Sequence, residues 1–354
     1  MIITDLKIHY LRNIISAHLR LNSRFNCIFG LNGSGKTSVL EALYLLSCGH
    51  SFRSREISTI INHSNHLLTV FARSVENDTI SIQKSSAEPT QIKLNNHFCT
   101  STSQLAYALP CHIFYSDIFQ IIDAGPSIRR SVLDWGLFHV KHDYLFIWKE
   151  YKKVIKQRNA LLKKHSPYSH FLPWDQQLQQ LANQLDTMRV EYFELWKEQF
   201  HFVLNQLTDC KCTIRYYKGW DKKNTGKELQ NILFESFVSD NQKLYTQYGP
   251  HQADIIIESD DEKAKHYLSR GQQKIILIAL KLAQSNLLQQ DCLYLFDDLS
   301  AELDDHHHRR LISYLDKIKG QFVITGINRN LVEPLINTNN ISLFNINAGQ
   351  ATNV

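Results

Sequence analysis

The eight residues Gly30-Leu31-Asn32-Gly33-Ser34-Gly35-Lys36-Thr37 have the types and spacing that hold phosphate groups. The glycines let backbone N–H groups converge on phosphate oxygens, and the N-terminus of a following helix adds partial positive charge. Lys36 can reach the terminal phosphates and Thr37 can hold Mg²⁺. Far along the chain, the apolar run Leu293-Tyr294-Leu295-Phe296 ends in Asp297-Asp298. Carboxylates at the carboxyl end of a buried strand stand where ligands collect in open α/β sheets. There Asp297 can anchor Mg²⁺ through water and Asp298 can orient an attacking water. With Lys36 they form the candidate catalytic set, acting on a nucleoside triphosphate.

A third cluster, Leu268-Ser269-Arg270-Gly271-Gln272, leads into a long apolar-periodic stretch. Ser269 and Gly271 at a helix start make an anion-binding N-terminus, and the bland alternative is a simple cap at Ser269. Since the first triphosphate already has its loop, an extra anion site suits a second nucleotide. His306-His307-His308 are consecutive, and neighbours on a helix point about 100° apart. They read as a solvated helix start and not as a metal site.

These groups need a strand before the phosphate loop and a helix after it. Phe25 to Phe29 supplies an apolar run, and Val39, Leu40, Leu43 and Leu46 recur at helical spacing. Ile2 to Phe29 reads as three short strands, with Leu11-Arg12-Asn13 in the first turn, and further strands are expected at Leu67 to Val75, Thr79 to Gln83, Gln91 to Asn95 and Cys111 to Tyr115. From Arg129 to about Leu244 helical periodicity dominates, in segments from Arg129 to Lys164 and Trp174 to Leu207 broken by His165-Ser166-Pro167 and Pro173. Each would reach about 45 Å, and without a sustained heptad repeat a compact lobe is expected over a coiled coil. The last third alternates again: strands at Ala253 to Glu258, Cys292 to Phe296 and Phe322 to Thr325, helices at Gln272 to Leu288 and Asp304 to Leu315. The expected organisation is one α/β head, residues 1–128 and 245–354, split by a helical insertion lobe, residues 129–244.

The chain has 354 residues, 43% hydrophobic and 21% charged, which excludes wholesale disorder. A net charge of +5 permits a nucleic-acid partner without demanding one. Seven cysteines without a Cys-x-x-Cys pair fit free thiols in a reducing compartment. The opening MIITDLKIHYLRN alternates apolar and polar residues, unlike a secretion signal, and the longest apolar run, Ile275 to Leu280, is too short to span a bilayer. A cytoplasmic protein with no membrane partner is expected.

The order of phosphate loop, Ser269-Arg270-Gly271-Gln272 and acidic strand resembles that of ABC-type ATPases, in which two heads dimerise and each signature closes on the γ-phosphate held by the other. Ser300-Ala301-Glu302-Leu303-Asp304 is similar to the loop through which such heads touch. Leu11-Arg12-Asn13, the run Gly125-Pro126-Ser127-Ile128-Arg129-Arg130 to Trp135, and Tyr245 to Asp254 narrow the likeness. Over essentially its whole length the chain resembles the RecF family of bacterial recombination mediators. The resemblance implies an ABC-type P-loop ATPase head, a mixed sheet with flanking helices, that binds ATP and Mg²⁺ and forms an ATP-dependent homodimer. It further implies binding to single-stranded or gapped DNA and cooperation with RecO and RecR in bringing RecA onto DNA, with links to replication restart and SOS induction. By position it assigns Gly30 to Thr37 as nucleotide loop, Arg12 and Asn13 beside it, Asp297 and Asp298 as acidic pair, and Ser269, Gly271 and Gln272 as the trans-acting signature. The chain departs at Ser116-Asp117, where the family often has Pro-Glu, and at Ala253, often acidic in relatives. Asp298 stands where many ABC heads have glutamate, and a base one methylene shorter positions water less well. Weak, DNA-stimulated ATP hydrolysis is therefore expected, a timer more than a motor.

Basic residues gather in Lys141, Lys149, Lys152, Lys153, Lys156, Arg158, Lys163 and Lys164, with only Asp143 and Glu150 opposing. Such a face is the electrostatic footprint for phosphates, and Lys149, Lys152, Lys153 and Lys156 are the candidate DNA contacts, with Arg53 and Arg55 as a second set. The interleaved Tyr144, Phe146, Trp148 and Tyr151 are spaced for helix packing. A transporter ATPase subunit is the competing class, but those heads usually place a histidine after the strand that here ends Val323-Ile324-Thr325-Gly326. A small-molecule kinase would have no use for residues 268–272, and the insertion is too short for the arms of an SMC-like structural protein.

Overall fold

The computed structural model describes residues 1–259, 262–263, 267–299, 301–327, 335 and 340–353. In chain order the strands and longer helices begin with β1 (Ile3–Leu11), β2 (Ile14–Arg20), β3 (Phe25–Phe29) and α1 (Lys36–Cys48). Next come β4 (Leu67–Ser74), β5 (Thr79–Ser85), β6 (Gln91–Leu94), β7 (His97–Phe98) and β8 (Cys111–Phe114). Helices α2 (Pro126–Val140), α3 (Tyr144–Lys163) and α4 (Leu172–Leu207) precede β9 (Thr213–Tyr217), β10 (Asp254–Ser259) and β11 (Glu262–Lys263). The chain closes with α5 (Arg270–Ser285), β12 (Leu293–Phe296), α6 (Asp305–Lys317), β13 (Gln321–Gly326), β14 (Ile341–Asn347) and β15 (Gln350–Asn353).

Backbone contacts divide the chain into two units. The first comprises Met1–Ile118, Gln206–Thr208 and Gln289–Val354, the second Phe119–Asn205 and Asp209–Leu288. The first unit holds two six-stranded sheets. One is antiparallel, in the order β2-β1-β4-β5-β6-β7, and its inward residues, such as Leu6, Ile8, Val70 and Ile82, pack in one core with Val39, Leu43 and Leu46 of α1. The other has the order β15-β14-β3-β13-β12-β8, and all its neighbours are parallel except the closing β14–β15 hairpin. Parallel sheets are covered on both faces, and accordingly β3, β8, β12 and β13 are buried at every residue. The register sets Phe29 beside Gly326 and Phe296 beside Ile324, so the carboxyl ends of β3, β13 and β12 lie along one edge. That shared edge is where the phosphate loop and the acidic pair emerge.

The second unit packs α2 to α5 with a three-stranded sheet, β11-β10-β9. Residues 129–244 are thus not helical throughout: Cys212 and Ile214 are buried while Thr213 and Arg215 are exposed, a two-residue period that forms β9. The first expected helical segment is two helices broken at residues 141–143. The texture-based bounds at 129 and 244 both fall inside this unit. Residues 245–288 are held there by the pairing of β10 with β9, by Arg129 on Asp254 at 2.7 Å, by Arg189 Nη1 donating to the Pro250 carbonyl at 2.7 Å, and by Trp196 Nε1 donating to the Leu280 carbonyl at 2.9 Å. Strands β14 and β15 were not anticipated; their polar Asn345, Asn347, Gln350 and Asn353 mask the alternation. Among the described residues no helix is long and apolar enough to cross a membrane.

Candidate nucleotide site

Strand β3 delivers Gly30 to the edge of the parallel sheet. A Cβ at Gly30 would collide with the Ile346 carbonyl oxygen and Ser34 Oγ, so the loop closes only over glycine. Leu31, Asn32 and Gly33 form the exposed tip, Ser34 to Lys36 are buried, and the Ser34 N–H donates to the Leu31 carbonyl at 3.2 Å. Gly35, at φ +116°, is the N-cap of α1 and supplies no side-chain cap. The first-turn N–H groups of a helix lack intrahelical acceptors, and here they are left to an incoming anion. Lys36 Nζ donates to the carbonyls of Gly30 at 2.7 Å and Leu31 at 3.0 Å. Among the described residues no carboxylate pairs with it. Ser34 Oγ is buried without a hydrogen-bond partner. A cation held by neutral carbonyls, an uncapped helix start and an orphaned hydroxyl in one glycine cradle fit the phosphates of a nucleoside triphosphate.

At the end of β12, Asp297 accepts the Thr37 hydroxyl at 2.9 Å through Oδ1, with Oδ2 at 3.1 Å. A hydroxyl and a carboxylate are hard oxygen donors, and this pair fits Mg²⁺. The Asp297 N–H donates to the Phe114 carbonyl at 2.8 Å, which fixes the turn to the neighbouring strand β8. Thr325, from the end of β13, places Oγ1 3.0 Å from Asp297 Oδ1 and accepts the Asp298 N–H at 3.0 Å. One hydroxyl therefore aligns both acids. Asp298 itself sits at φ +50°, a backbone region uncommon outside glycine and enriched at functional turns. In sequence Thr325 stands only where a histidine is usual in transporter heads; its signal is its place at the carboxyl end of the adjoining strand.

Arg12 and Asn13 lie in the β1–β2 turn. Asn13 Nδ2 donates to the Gly33 carbonyl at 2.9 Å, and its Oδ1 accepts the Ser38 hydroxyl at 2.9 Å, so this side chain buttresses the loop. Arg12 turns onto Glu41 of α1, donating from Nε at 2.9 Å and Nη2 at 2.8 Å, and onto the Thr59 carbonyl from Nη1 at 2.6 Å. Glu41 is fully buried and also accepts the Ser51 hydroxyl. Ser51 Oγ in turn accepts the N–H groups of Arg53 at 2.9 Å and Ser54 at 3.1 Å, shaping the turn from which Arg53 and Arg55 project into solvent. In sequence the one trace of Glu41 is a lone acid among the apolar positions of α1.

In the second unit Ser269 opens α5 with a reciprocal box: its Oγ accepts the Gln272 N–H at 3.3 Å, and the Ser269 N–H donates to Gln272 Oε1 at 3.0 Å. The hydroxyl proton of Ser269 remains available to an acceptor, and Gly271 keeps the helix start bare. Lys149, Lys152, Lys153 and Lys156 are exposed and fall on one face of α3. Arg158 does not join them. It lies 200° around the helix from Lys156, fully buried, with Asp175 and Asp240 each at 2.7 Å, and belongs to the core. Desolvation raises the Asp175 carboxyl while Arg158 opposes it. Lys141 pairs with Glu191 at 2.7 Å. The Tyr245 to Asp254 stretch is likewise structural: His251 accepts the Tyr151 hydroxyl on Nδ1 at 2.7 Å and meets the Thr246 carbonyl through Nε2 at 2.9 Å, and burial pushes its pKa down to about 4. Of the expected head-to-head loop, Ser300 lies outside the described residues. Asp304 caps α6, accepting the His307 N–H at 2.8 Å and facing His307 Nδ1 at 2.8 Å.

The family model described as the RecF/RecN/SMC N terminal domain matches residues 2–351. The DNA replication and repair protein RecF of Francisella tularensis subsp. tularensis (strain WY96-3418) is 36% identical over 350 residues, 97% of this chain and 99% of that protein. The protein of the same name from subsp. novicida (strain U112) gives the same identity and coverage. A solved structure of the recombination mediator protein RecF-ATP in the RecFOR pathway superposes with a TM-score of 0.84 at 26% identity, covering 99% of this chain and 97% of the other. An Smc head bound to the C-winged helix domain of ScpA, at 16% identity and a TM-score of 0.62 over 100% of this chain and 97% of that one, shares the fold. The architecture is thus that of an ABC-type P-loop ATPase head, a mixed sheet with flanking helices. A loop built for phosphates, an acid pair aligned on the neighbouring strands and likeness along nearly every residue lead to one assignment: the chain belongs to the RecF family.

Proposed function

We propose that this chain is an ATP-dependent DNA clamp of the RecF type, in which ATP and Mg²⁺ join two copies around single-stranded or gapped DNA. The observation that carries the reading is the contact of Thr37 with Asp297 beneath the Lys36 loop. When bound, ATP and Mg²⁺ supply a reactive phosphoanhydride and the charge to neutralise it. Lys36, now on the carbonyls of Gly30 and Leu31, would hold the terminal phosphates, Thr37 and Asp297 would hold Mg²⁺, and Asp298, aligned by Thr325, would orient the attacking water. Asp298 is short for that task, so hydrolysis is slow and resets the clamp. Ser269, Gly271 and Gln272 of a second copy donate to the phosphates held by the first. The names of the relatives, a replication and repair protein and a mediator of the RecFOR pathway, support a role with RecR and RecO in bringing RecA to DNA, in recombinational repair, replication restart and SOS induction.

A transporter ATPase subunit is disfavoured by Thr325 at the position where those heads usually carry histidine. Sedimentation of wild type and Lys36→Met, with and without ATP and gapped DNA, tests the proposal. ATP-driven dimerisation in the wild type, lost in Lys36→Met, is expected; an ATP-indifferent monomer would sink it.

A further inference from the structure

The antiparallel sheet of the first unit buries one face in a core shared with α1 and the short helix Ile57–Ile60, while the side chains on its other face are half-buried or exposed. Antiparallel partners directly opposite one another share a face, so the register spells out what that face presents. One row crosses all six strands: His18, Lys7, Phe71, Ser81, Lys93 and Phe98. At about 4.8 Å per strand it spans about 24 Å. It contains two cations, two aromatic rings and no carboxylate. Lys7 Nζ stands 6.0 Å from the Phe71 ring centre and Lys93 Nζ 4.6 Å from that of Phe98, which is 66% exposed. The row on one side, Ser16, His9, Thr69, Gln83 and Gln91, also lacks an acid. The row on the other side holds Arg20 and Arg73 around Asp5, which is paired with His18. Glu76, Asp78 and Glu88 lie in the connecting turns, off the rows.

We propose that this open sheet face is a platform for single-stranded nucleic acid, with bases stacking on Phe71 and Phe98 and phosphates held by Lys7, Lys93, Arg20 and Arg73. The inference rests on the reading of the chain as a DNA-binding protein and gives one of its substrates a seat in the first unit, whereas the α3 lysines belong to the second. Charge selects the occupant: four permanent cations stand against one paired carboxylate. The rings narrow it further, because unpaired bases offer π-faces that a duplex keeps stacked inside, and a sheet face bearing aromatics is a recurrent single-strand surface. The lysines now beside the rings are displaced only as far as neighbouring phosphates, so base and backbone contacts form together.

The test uses the full chain with a labelled polythymidine strand and a duplex of equal length, over a range of salt. Phe98→Ala and Phe71→Ala should each weaken polythymidine binding by between about fivefold and about 150-fold while leaving the salt slope and duplex binding unchanged. Lys7→Gln with Lys93→Gln should lower the single-strand salt slope by about 1.4. These side chains lie outside the core, and unchanged thermal melting checks that the variants fold. If all of these variants bind polythymidine like the wild type while Lys149, Lys152 and Lys156 reversed to glutamate abolish it, the platform is overturned and the clamp stands. Equal loss on strand and duplex overturns the stacking role. A wild-type chain that binds neither probe overturns platform and clamp together.

Discussion

Glu41, wholly buried on α1, accepts two hydrogen bonds from Arg12, at 2.9 Å from Nε and 2.8 Å from Nη2. The pair ties the turn carrying Asn13 to the helix that begins at Lys36. Removing one partner of a buried pair leaves the other charge uncompensated, which costs about 3 kcal/mol. Glu41→Gln should therefore lower the free energy of unfolding by that order, read as a lower denaturant midpoint, and loosen the loop, reducing ATP affinity. Calorimetric titration with ATP checks the second effect; unchanged affinity in a folded variant would confine Glu41 to stability.

Asp297 and Asp298 are expected to separate by role. Asp297→Asn should remove the Mg²⁺ dependence of nucleotide binding, read by titrating ATP with and without the metal. Asp298→Asn should leave ATP-driven dimerisation intact and cut turnover by at least about 100-fold, the usual contribution of a positioned base. Asp298→Glu, which restores the missing methylene, should raise turnover. A glutamate variant slower than wild type would remove the short-base explanation of slow hydrolysis.

Acid should destabilise the second unit in a defined window. Burial holds both His139 and His251 at about 4 against 6.5. As pH falls, the unfolded chain takes up these protons first, so the stabilisation is complete above about 6.5 and is lost progressively as pH drops to about 4. The full loss is ~3 kcal/mol per histidine. Urea midpoints at pH 7.5, 5.5 and 4.5 should fall in that order, and His251→Gln should shrink the difference while lowering the pH 7.5 value.

Arg158 and the exposed lysines of α3 should behave oppositely. Arg158→Met strands Asp175 and Asp240 in the core and should lower stability by about 3 kcal/mol. Reversal of Lys149, Lys152 and Lys156 to glutamate should leave melting nearly unchanged but weaken DNA binding and flatten its salt dependence. DNA affinity that survives the triple reversal would remove α3 from the contact surface.

The phosphate loop, its strand and its helix were legible because local chemistry fixes them: only glycine fits at Gly30, and β3 is apolar end to end. Arg158 shows where composition stops. It counts as one more positive charge in a basic stretch until the helix is wound, and two residues then carry it from solvent to core. Thr325 and Glu41 were hidden for a related reason, since their roles depend on partners 28 and 29 residues away, Asp297 and Arg12. β9 is five residues in a helical context, too short for its alternation to stand out.

The self-capping of Ser269 by Gln272 has a consequence for how the proposed dimer is regulated. The helix end is satisfied within one chain, so a lone copy carries no frayed terminus that would recruit a neighbour indiscriminately. The serine oxygen accepts the Gln272 N–H while its proton stays free to be donated, and a donated proton suits phosphate oxygen. If ATP joins two copies as proposed, a solitary copy is already complete at this helix end, and the supply of nucleotide, rather than completion of folding, would set when two of them meet.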